Sequence, residues 1–317
     1  MGAEPVVSIV MPLYNKRPYV KRAIDSIRSQ TFTNWELIVV DDGSTDGSAE
    51  EMPGDDPRIR LFRQENKGPS ATRNRGIEMA SGEFVTFLDA DDYFYPQKLE
   101  VEMDLLRNQQ KAEWMMSAYE YEIANELKGH CIKDIHGNDV SSSVMVFESA
   151  LDNLKVEGWP SDGLCVKKSL LDRTGGFNEG LHYCEITELI IRCAVAQPRV
   201  VIYHEPLYRV VDVPKSISKV LSYRNESFRQ MGESFHLLSR NYPEFAGELI
   251  RKSRLQLYSY IAGLILSGRA ADARDYLVNS FPCGRDRRWW KMWIGSWIPA
   301  AVLRRIVKTD LSLAQMR

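Results

Sequence analysis

The first 110 residues alternate between apolar runs and amphipathic stretches, a rhythm that predicts βαβ units. Residues 6–14 (VVSIVMPLY) form a β-branched apolar run suited to a strand buried on both faces. Residues 17–30 place Val20, Ile24 and Ile27 at helical spacing, with Lys21, Arg22 and Arg28 on the other side. Residues 35–42 (WELIVVDD) read as a second buried strand, ending in two carboxylates before Gly43-Ser44. A short third strand follows at 59–63, a helix at 70–81 and a fourth strand at 83–90 (EFVTFLDA), again ending in acid. The next helix spans 96–110 and opens with Pro96. From 114 to about 213 the pattern is less regular, with strands at 114–123 and 200–208 and a helix at 185–196. Beyond 214 the chain reads as helices at 219–238, 243–266 and 270–281.

Three of the apolar strands end in polar residues: Tyr14-Asn15, Asp41-Asp42 and Asp89-Ala90-Asp91-Asp92. In an open α/β sheet the carboxyl ends of parallel strands form the ligand crevice. Asp89 and Asp91, one residue apart at a strand end, can present oxygens to one hard divalent cation; the same run also reads as an Asx-rich turn. Asp42 can accept from a nucleobase N–H or a ribose hydroxyl, or can close a turn with Gly43 at its exit. Tyr14 offers an aromatic face for a base, or sits on the rim. The segment 68–76 (GPSATRNRG) combines a turn, a helix start and two arginines. Arg73 suits an anionic phosphate, or pairs with Asp41 or Asp89.

Composition narrows the class. With 317 residues, 44% apolar and 26% charged, the chain is globular, with one sizeable core and a smaller appended region. A net charge of −2 gives no support to a nucleic-acid partner. Five cysteines without a C-x-x-C pair favour buried thiols over a disulfide framework or a zinc site. The N-terminal residues lack the basic start and long apolar run of a signal peptide. Residues 285–308 hold seven basic residues against one acid, and four of the seven Trp. That stretch is too short, and too interrupted by Lys291 and Pro299, to span a bilayer. It reads as a C-terminal helix packing its Trp face on the domain, or as a segment for the water–lipid interface; Trp flanked by cations favours the latter.

In this order and spacing, residues 7–16, 36–46, 68–76 and 82–92 resemble the inverting glycosyltransferases of family 2, which have the GT-A fold. The resemblance is detailed over 6–110 and looser to about 220. It implies an α/β fold: a mixed, mostly parallel Rossmann-like central sheet flanked by helices, then a helical C-terminal region. Residues 1–213 would be the nucleotide-sugar-binding and catalytic domain, 214–284 the helical region and 285–317 a basic, Trp-rich tail for an anionic membrane surface. The donor site it implies contains Pro12, Tyr14, Asp42, Arg73, Asp89 and Ala90. Asp91, with Asp89 as a possible partner, would hold Mn²⁺ or Mg²⁺ on the diphosphate. Tyr208-Arg209 with Ser216 and Ser218 resembles the segment that closes over the donor.

One departure stands out. The family's usual E-D pair precedes a helical Leu-Arg, and counting back from Arg192 puts Ile186 where the basic Asp should be. Glu185 is the favoured replacement, with Glu188 and His182 as alternatives; Glu188 could equally form an (i, i+4) pair with Arg192. The implied activity is transfer of a sugar from a nucleotide-sugar, UDP-linked, to a hydroxyl of a glycan or lipid-linked acceptor in surface polysaccharide synthesis. Its implied place is cytoplasmic, peripheral on the inner face of the cell membrane. The alternative is a nucleotide-sugar-binding homologue that has lost its base.

Overall fold

A computed structural model describes residues 4–109, 111–123, 126–130, 143–149, 160–181, 185–213, 221–243 and 246–297. The chain divides into two compact units, 1–216 and 217–317.

The first unit is built on one ten-stranded sheet. Its strands are β1 (Val7–Leu13), β2 (Trp35–Asp41), β3 (Ile59–Arg63), β4 (Phe84–Phe87), β5 (Tyr93–Phe94), β6 (Trp114–Ile123), β7 (Glu126–His130), β8 (Val144–Phe147), β9 (Leu164–Lys167) and β10 (Val200–Val211). They lie in the order β3-β2-β1-β4-β9-β6-β10-β5, with β7 on β6 and β8 on β10. The β3-β2-β1-β4 block is parallel, as is the β6–β10 pair. The antiparallel β9 joins the two parts by pairing with β4 and β6. Helices α1 (Arg17–Arg28), α2 (Pro69–Met79), α3 (Lys98–Asn108), α4 (Lys168–Thr174) and α5 (Glu185–Ala196) complete the unit.

The apolar runs explain these elements. Every residue of β2 and of β4 is buried, as a central strand covered on both faces requires. Helix α1 buries Val20, Ala23, Ile24 and Ile27 in the same cluster as β1 residues Val7, Ile9, Met11 and Leu13. Helix α2 lies so close to β1 that a Cβ on Gly76 would stand 2.3 Å from Val10 Cγ1; only glycine fits there without a shift.

The fourth strand stops at Phe87, three residues short of the expected 83–90. The Asp89 N–H is drawn to the carboxylate of Asp162, at 3.2 Å, and the Asp92 N–H turns back to the Asp89 carbonyl. Strands β5, β7, β8 and β9 and helix α4 are elements the apolar pattern did not predict; the four strands fall in or beside stretches where the βαβ alternation that marked β3 and β4 breaks off. Because β1, β2 and β4 are parallel and adjacent, Tyr14-Asn15, Asp42 and Asp89 follow their carboxyl ends at one edge.

The second unit is helical over its described residues: α6 (Leu221–Asn241), α7 (Ala246–Leu266), α8 (Ala270–Asp275), a π turn at Tyr276–Ser280, and α9 (Arg287–Gly295). Its core gathers Leu257, Tyr258, Ile261, Leu264, Leu277 and Trp289. The side chain of Asp286 caps α9 by accepting from the N–H groups of Arg288 and Trp289. In and just after α9 one Trp is packed and others are displayed. Trp289 is 2% exposed and donates its indole N–H to the Leu277 carbonyl at 3.1 Å, whereas Trp290, Ile294 and Trp297 are 49%, 56% and 63% exposed. Residues 298–308 of that stretch lie outside the described residues. No helix of the described residues is long and apolar enough to cross a membrane. Cys165, Cys193 and Cys283 are buried free thiols; Cys131 and Cys184 lie outside the described residues.

Candidate active site

The first wall of the crevice is a knot between the ends of β1 and β2. Asn15 takes a left-handed φ of 51°, which Asn tolerates better than most residues. Its backbone N–H donates to Ser44 Oγ at 3.0 Å, and its Oδ1 accepts from the Thr45 N–H at 2.9 Å. Asp41 Oδ1 accepts from the Ser44 N–H at 3.0 Å. This holds Tyr14 at the rim, nearly half exposed. Pro12 is half-buried inside β1, opposite Val40 of β2.

Asp42 is almost wholly enclosed. Its Oδ1 accepts from Gln64 Nε2 at 2.8 Å and from the Lys67 N–H at 2.9 Å, and its Oδ2 accepts from the Gly68 N–H at 2.9 Å. Three of a carboxylate's roughly four acceptor directions are thus spent on the 64–68 loop that leads into α2. Arg75 reaches the Arg63 carbonyl and Gln64, on the β3 side, and not the acids of the β4 loop.

The second wall is centred on Arg73. Its guanidinium, buried in α2, donates to Asp89 Oδ1 at 2.7 Å, to Glu185 Oε1 at 2.8 Å and to Ser161 Oγ at 3.3 Å. Burial opposes its charge, yet the carboxylates of Asp89 and Glu185 outweigh burial and hold its proton more tightly than usual. Phe177 lies 5.4 Å below the guanidinium. The sequence left Arg73 open between a phosphate and a strand-end acid; the structure gives it to Asp89 and Glu185.

The acids of the β4 loop have separate surroundings. Asp89 is more than a third exposed. Ala90 is buried in the core. Asp91 forms an ion pair with Lys16; burial raises its carboxyl above the ordinary value, against the pull of that ammonium. Asp92 is buried and accepts from the Val211 N–H at 2.8 Å. Asp162, in the turn Ser161–Gly163 before β9, is 0% exposed. Its Oδ1 accepts from the Asp89 N–H and from Ser161 Oγ, and its carboxyl shares a side-chain hydrogen bond with that of Asp92. Burial, and then the Asp89 carboxylate, push the Asp162 carboxyl up to about 8. Burial, followed by Asp162, Asp91 and Asp89, raises Asp92 well above the usual range.

Oxygens of Asp89, Asp92 and Asp162 lie within 4.8 Å of one another, the one such cluster among the described residues. An all-carboxylate donor set of this kind fits a hard divalent cation such as Mn²⁺ or Mg²⁺. Sequence reasoning missed Asp162 and the role of Lys16. A Pro-Ser-Asp-Gly turn carries no sign of its partner 73 residues away, and only the strand order β4-β9 joins them.

Of the candidates for the base, Glu185 starts α5 and enters the crevice through Arg73. Ile186 is buried. Glu188 faces Arg192 in a two-pronged (i, i+4) pair at 2.9 and 2.6 Å, and Arg192 also donates to the Gly176 carbonyl beyond the end of α4 at 2.7 Å. That is a structural clamp. His182 lies outside the described residues, as do Ser216 and Ser218. Tyr208 and Arg209 sit within β10, paired with Phe94 and Tyr93 of β5.

Residues 8–150 match the model of "Glycosyl transferase family 2". Over that stretch, a little under half of the chain, it resembles glycosyl transferase family 2. It is 38% identical over 140 residues to an uncharacterized glycosyltransferase of Rickettsia felis, covering 44% of this chain and 23% of that one. It is 37% identical over 107 residues to TuaG of Bacillus subtilis, a putative teichuronic acid biosynthesis glycosyltransferase, covering 32% and 42%. The chain therefore spans less than half the length of these curated relatives. Two solved structures share the GT-A fold. One is S. aureus TarS in complex with UDP-GlcNAc (TM-score 0.59, 16% identity, 92% of this chain and 79% of that one). The other is the mannosyltransferase PcManGT of Pyrobaculum calidifontis in complex with GDP-Man and Mn²⁺ (TM-score 0.60, 20% identity, 99% and 81%).

Proposed function

We propose that this protein is an inverting glycosyltransferase that moves a hexosyl or N-acetylhexosaminyl group from a UDP-sugar to a hydroxyl of a glycan or lipid-linked acceptor in surface polysaccharide synthesis. The observation that carries the reading is the Glu185–Arg73–Asp89 chain, which ties the candidate base to the acidic loop at the end of β4. The TuaG similarity supports the polysaccharide context. The TarS and PcManGT complexes support a nucleotide-sugar donor, and the latter a cation.

In this mechanism Tyr14 presents its ring to the nucleobase, and Asp42 offers its remaining acceptor direction while holding the 64–68 loop. Arg73 keeps Asp89 and Glu185 in register with each other. A bound Mn²⁺ or Mg²⁺ would neutralise the charge that develops on the leaving diphosphate. Glu185 Oε1 stays on Arg73, and Oε2 takes the proton from the attacking hydroxyl. Nothing covalent forms between protein and sugar, so one base suffices and the anomeric configuration inverts.

The test is release of UDP from UDP-sugars by the purified protein with a membrane acceptor fraction. Glu185→Gln is expected to lower kcat by about 10²-fold or more while leaving UDP binding intact. Unchanged turnover would remove Glu185 as the base. UDP binding without turnover for any acceptor would favour the alternative, a binding homologue, which Ile186 at the expected Asp position motivates. We also propose that the protein works at the cytoplasmic face of the cell membrane, contacting anionic lipid through residues 285–308. The exposed Trp290, Ile294 and Trp297 beside Arg287, Arg288 and Lys291 support that contact.

A further inference from the structure

Apart from the catalytic crevice, the second unit holds a cleft of about 290 Å³ between α7 and the start of α9. At roughly 30 Å³ per water, that is room for about ten waters or for one small esterified anion. Arg251, Arg254 and Arg288 line it, with Tyr258 and Asp286. Arg251, Arg254 and Tyr258 share one wall because positions three and four apart fall on one face of a helix. We propose that this cleft binds a phosphate monoester, carried by a lipid headgroup or by a soluble molecule, on the guanidinium groups of Arg254 and Arg288 with Arg251 beside them.

Charge favours an anion there. The acid of the lining, Asp286, is already committed: its Oδ1 accepts from the N–H groups of Arg288 and Trp289, both at 2.8 Å, and from the Tyr258 hydroxyl. The start of α9 is thereby satisfied from within the chain, so the attraction comes from side chains and not from the helix end. Arg254 and Arg288 alone outnumber that carboxylate. Arg254 Nη1 stands 3.6 Å from Asp286 Oδ2, too far for a hydrogen bond. Arg288 has no carboxylate partner among the described residues.

Both groups are held in place. Arg254 donates from Nη2 and Nε to the Cys283 carbonyl at 2.7 and 3.3 Å. The Arg288 guanidinium lies 5.2 Å from the centre of the Tyr258 ring. Less side-chain freedom is then lost on binding. The number of forks selects the ligand. A carboxylate has two oxygens and saturates with one guanidinium, whereas a phosphate monoester has three free oxygens to share among several. The cleft is also distinct from the displayed apolar side chains. Arg288 and Trp290 stand about 200° apart around α9, so the exposed Trp290 turns away from it.

The test compares the full chain with Arg254→Gln, Arg288→Gln and Lys291→Gln, the last a cation of α9 outside the lining. Glycerol 3-phosphate is titrated calorimetrically at constant ionic strength. Sedimentation is measured with phosphatidylcholine vesicles carrying phosphatidic acid or, at matched surface charge, phosphatidylserine. Each lining substitution removes a charged hydrogen bond and should weaken binding by about tenfold or more, with Lys291→Gln near wild type. Weaker glycerol 3-phosphate binding in the lining variants identifies a soluble ligand; loss of the preference for phosphatidic acid identifies a lipid, and either supports the site. No binding of either probe by wild type, binding retained in the lining variants, or equal losses in Arg288→Gln and Lys291→Gln overturns it. UDP affinity should be the same in all four proteins; a parallel loss of UDP binding would place the phosphate in the donor crevice and overturn a separate site. Should Arg254→Gln lack a cooperative melt, Arg288→Gln, whose side chain is exposed, decides alone against the same outcomes.

Discussion

Arg73 shows how a single residue can belong to two sites at once. Its guanidinium bridges a strand-end acid and the first residue of a helix 112 positions later in sequence. Removing a partner from a buried ion pair strands the others, at a cost of about 3–5 kcal/mol. Arg73→Met is therefore expected to lose about that much in urea unfolding, and a loss below about 1 kcal/mol would mean that solvent already screens the cluster. Asp162 has a different signature. Its folded pKa of about 8, against an ordinary 3.8, means that the native state keeps a proton the unfolded chain releases. That contribution is complete below about pH 4 and is lost as pH rises through about 8. In EDTA, the thermal midpoint of wild type should therefore fall more between pH 4 and 8 than that of Asp162→Asn; parallel curves would refute the assignment. The strand-end acids were legible in the sequence because each closes an apolar run. Their partners were not, since side-chain pairing across a sheet leaves no local pattern.

At the scale of elements, the long buried strands and helices followed from hydrophobic spacing. β3 occupies the expected residues 59–63, and α5 the expected 185–196. The short antiparallel pieces β5, β7, β8 and β9 escaped, because they fall in or beside stretches where the βαβ alternation that marked β3 and β4 breaks off. Close packing of α2 on β1 depends on Gly76. Gly76→Ala gains about 1 kcal/mol of helix propensity but drives a methyl into Val10, and overpacking of this kind costs about 1–3 kcal/mol. The net expectation is a lower thermal midpoint, recovered in part by Val10→Ala in the same chain, because contacting positions couple. Additive effects of the two substitutions would show that α2 moves away from β1 without resistance.

For the molecule as a whole, the second unit separates packing from display. Trp289 lies in its core, so Trp289→Ser is expected to cost about 3–5 kcal/mol in unfolding. Trp290, Ile294 and Trp297 replaced together by Ser should leave the melt close to wild type while reducing sedimentation with anionic vesicles. Unchanged sedimentation of that triple variant would rule out the membrane contact. Added salt should weaken the wild-type association, since part of it is charge attraction screened beyond about 10 Å at 0.1 M.

The sequence by itself determined the parallel βαβ start, the acids at its strand ends and the family resemblance, because each is written in contiguous residues whose spacing matches a strand or a helix. It also determined that Ile186 stands where a basic carboxylate was expected. Only the tertiary structure decided that Asp91 goes to Lys16, that Glu185 goes to Arg73, and that Asp162 joins Asp89 and Asp92. Those pairings depend on β9 inserting antiparallel between β4 and β6. Strand order is set by the packing of the whole sheet, and no window of sequence contains it.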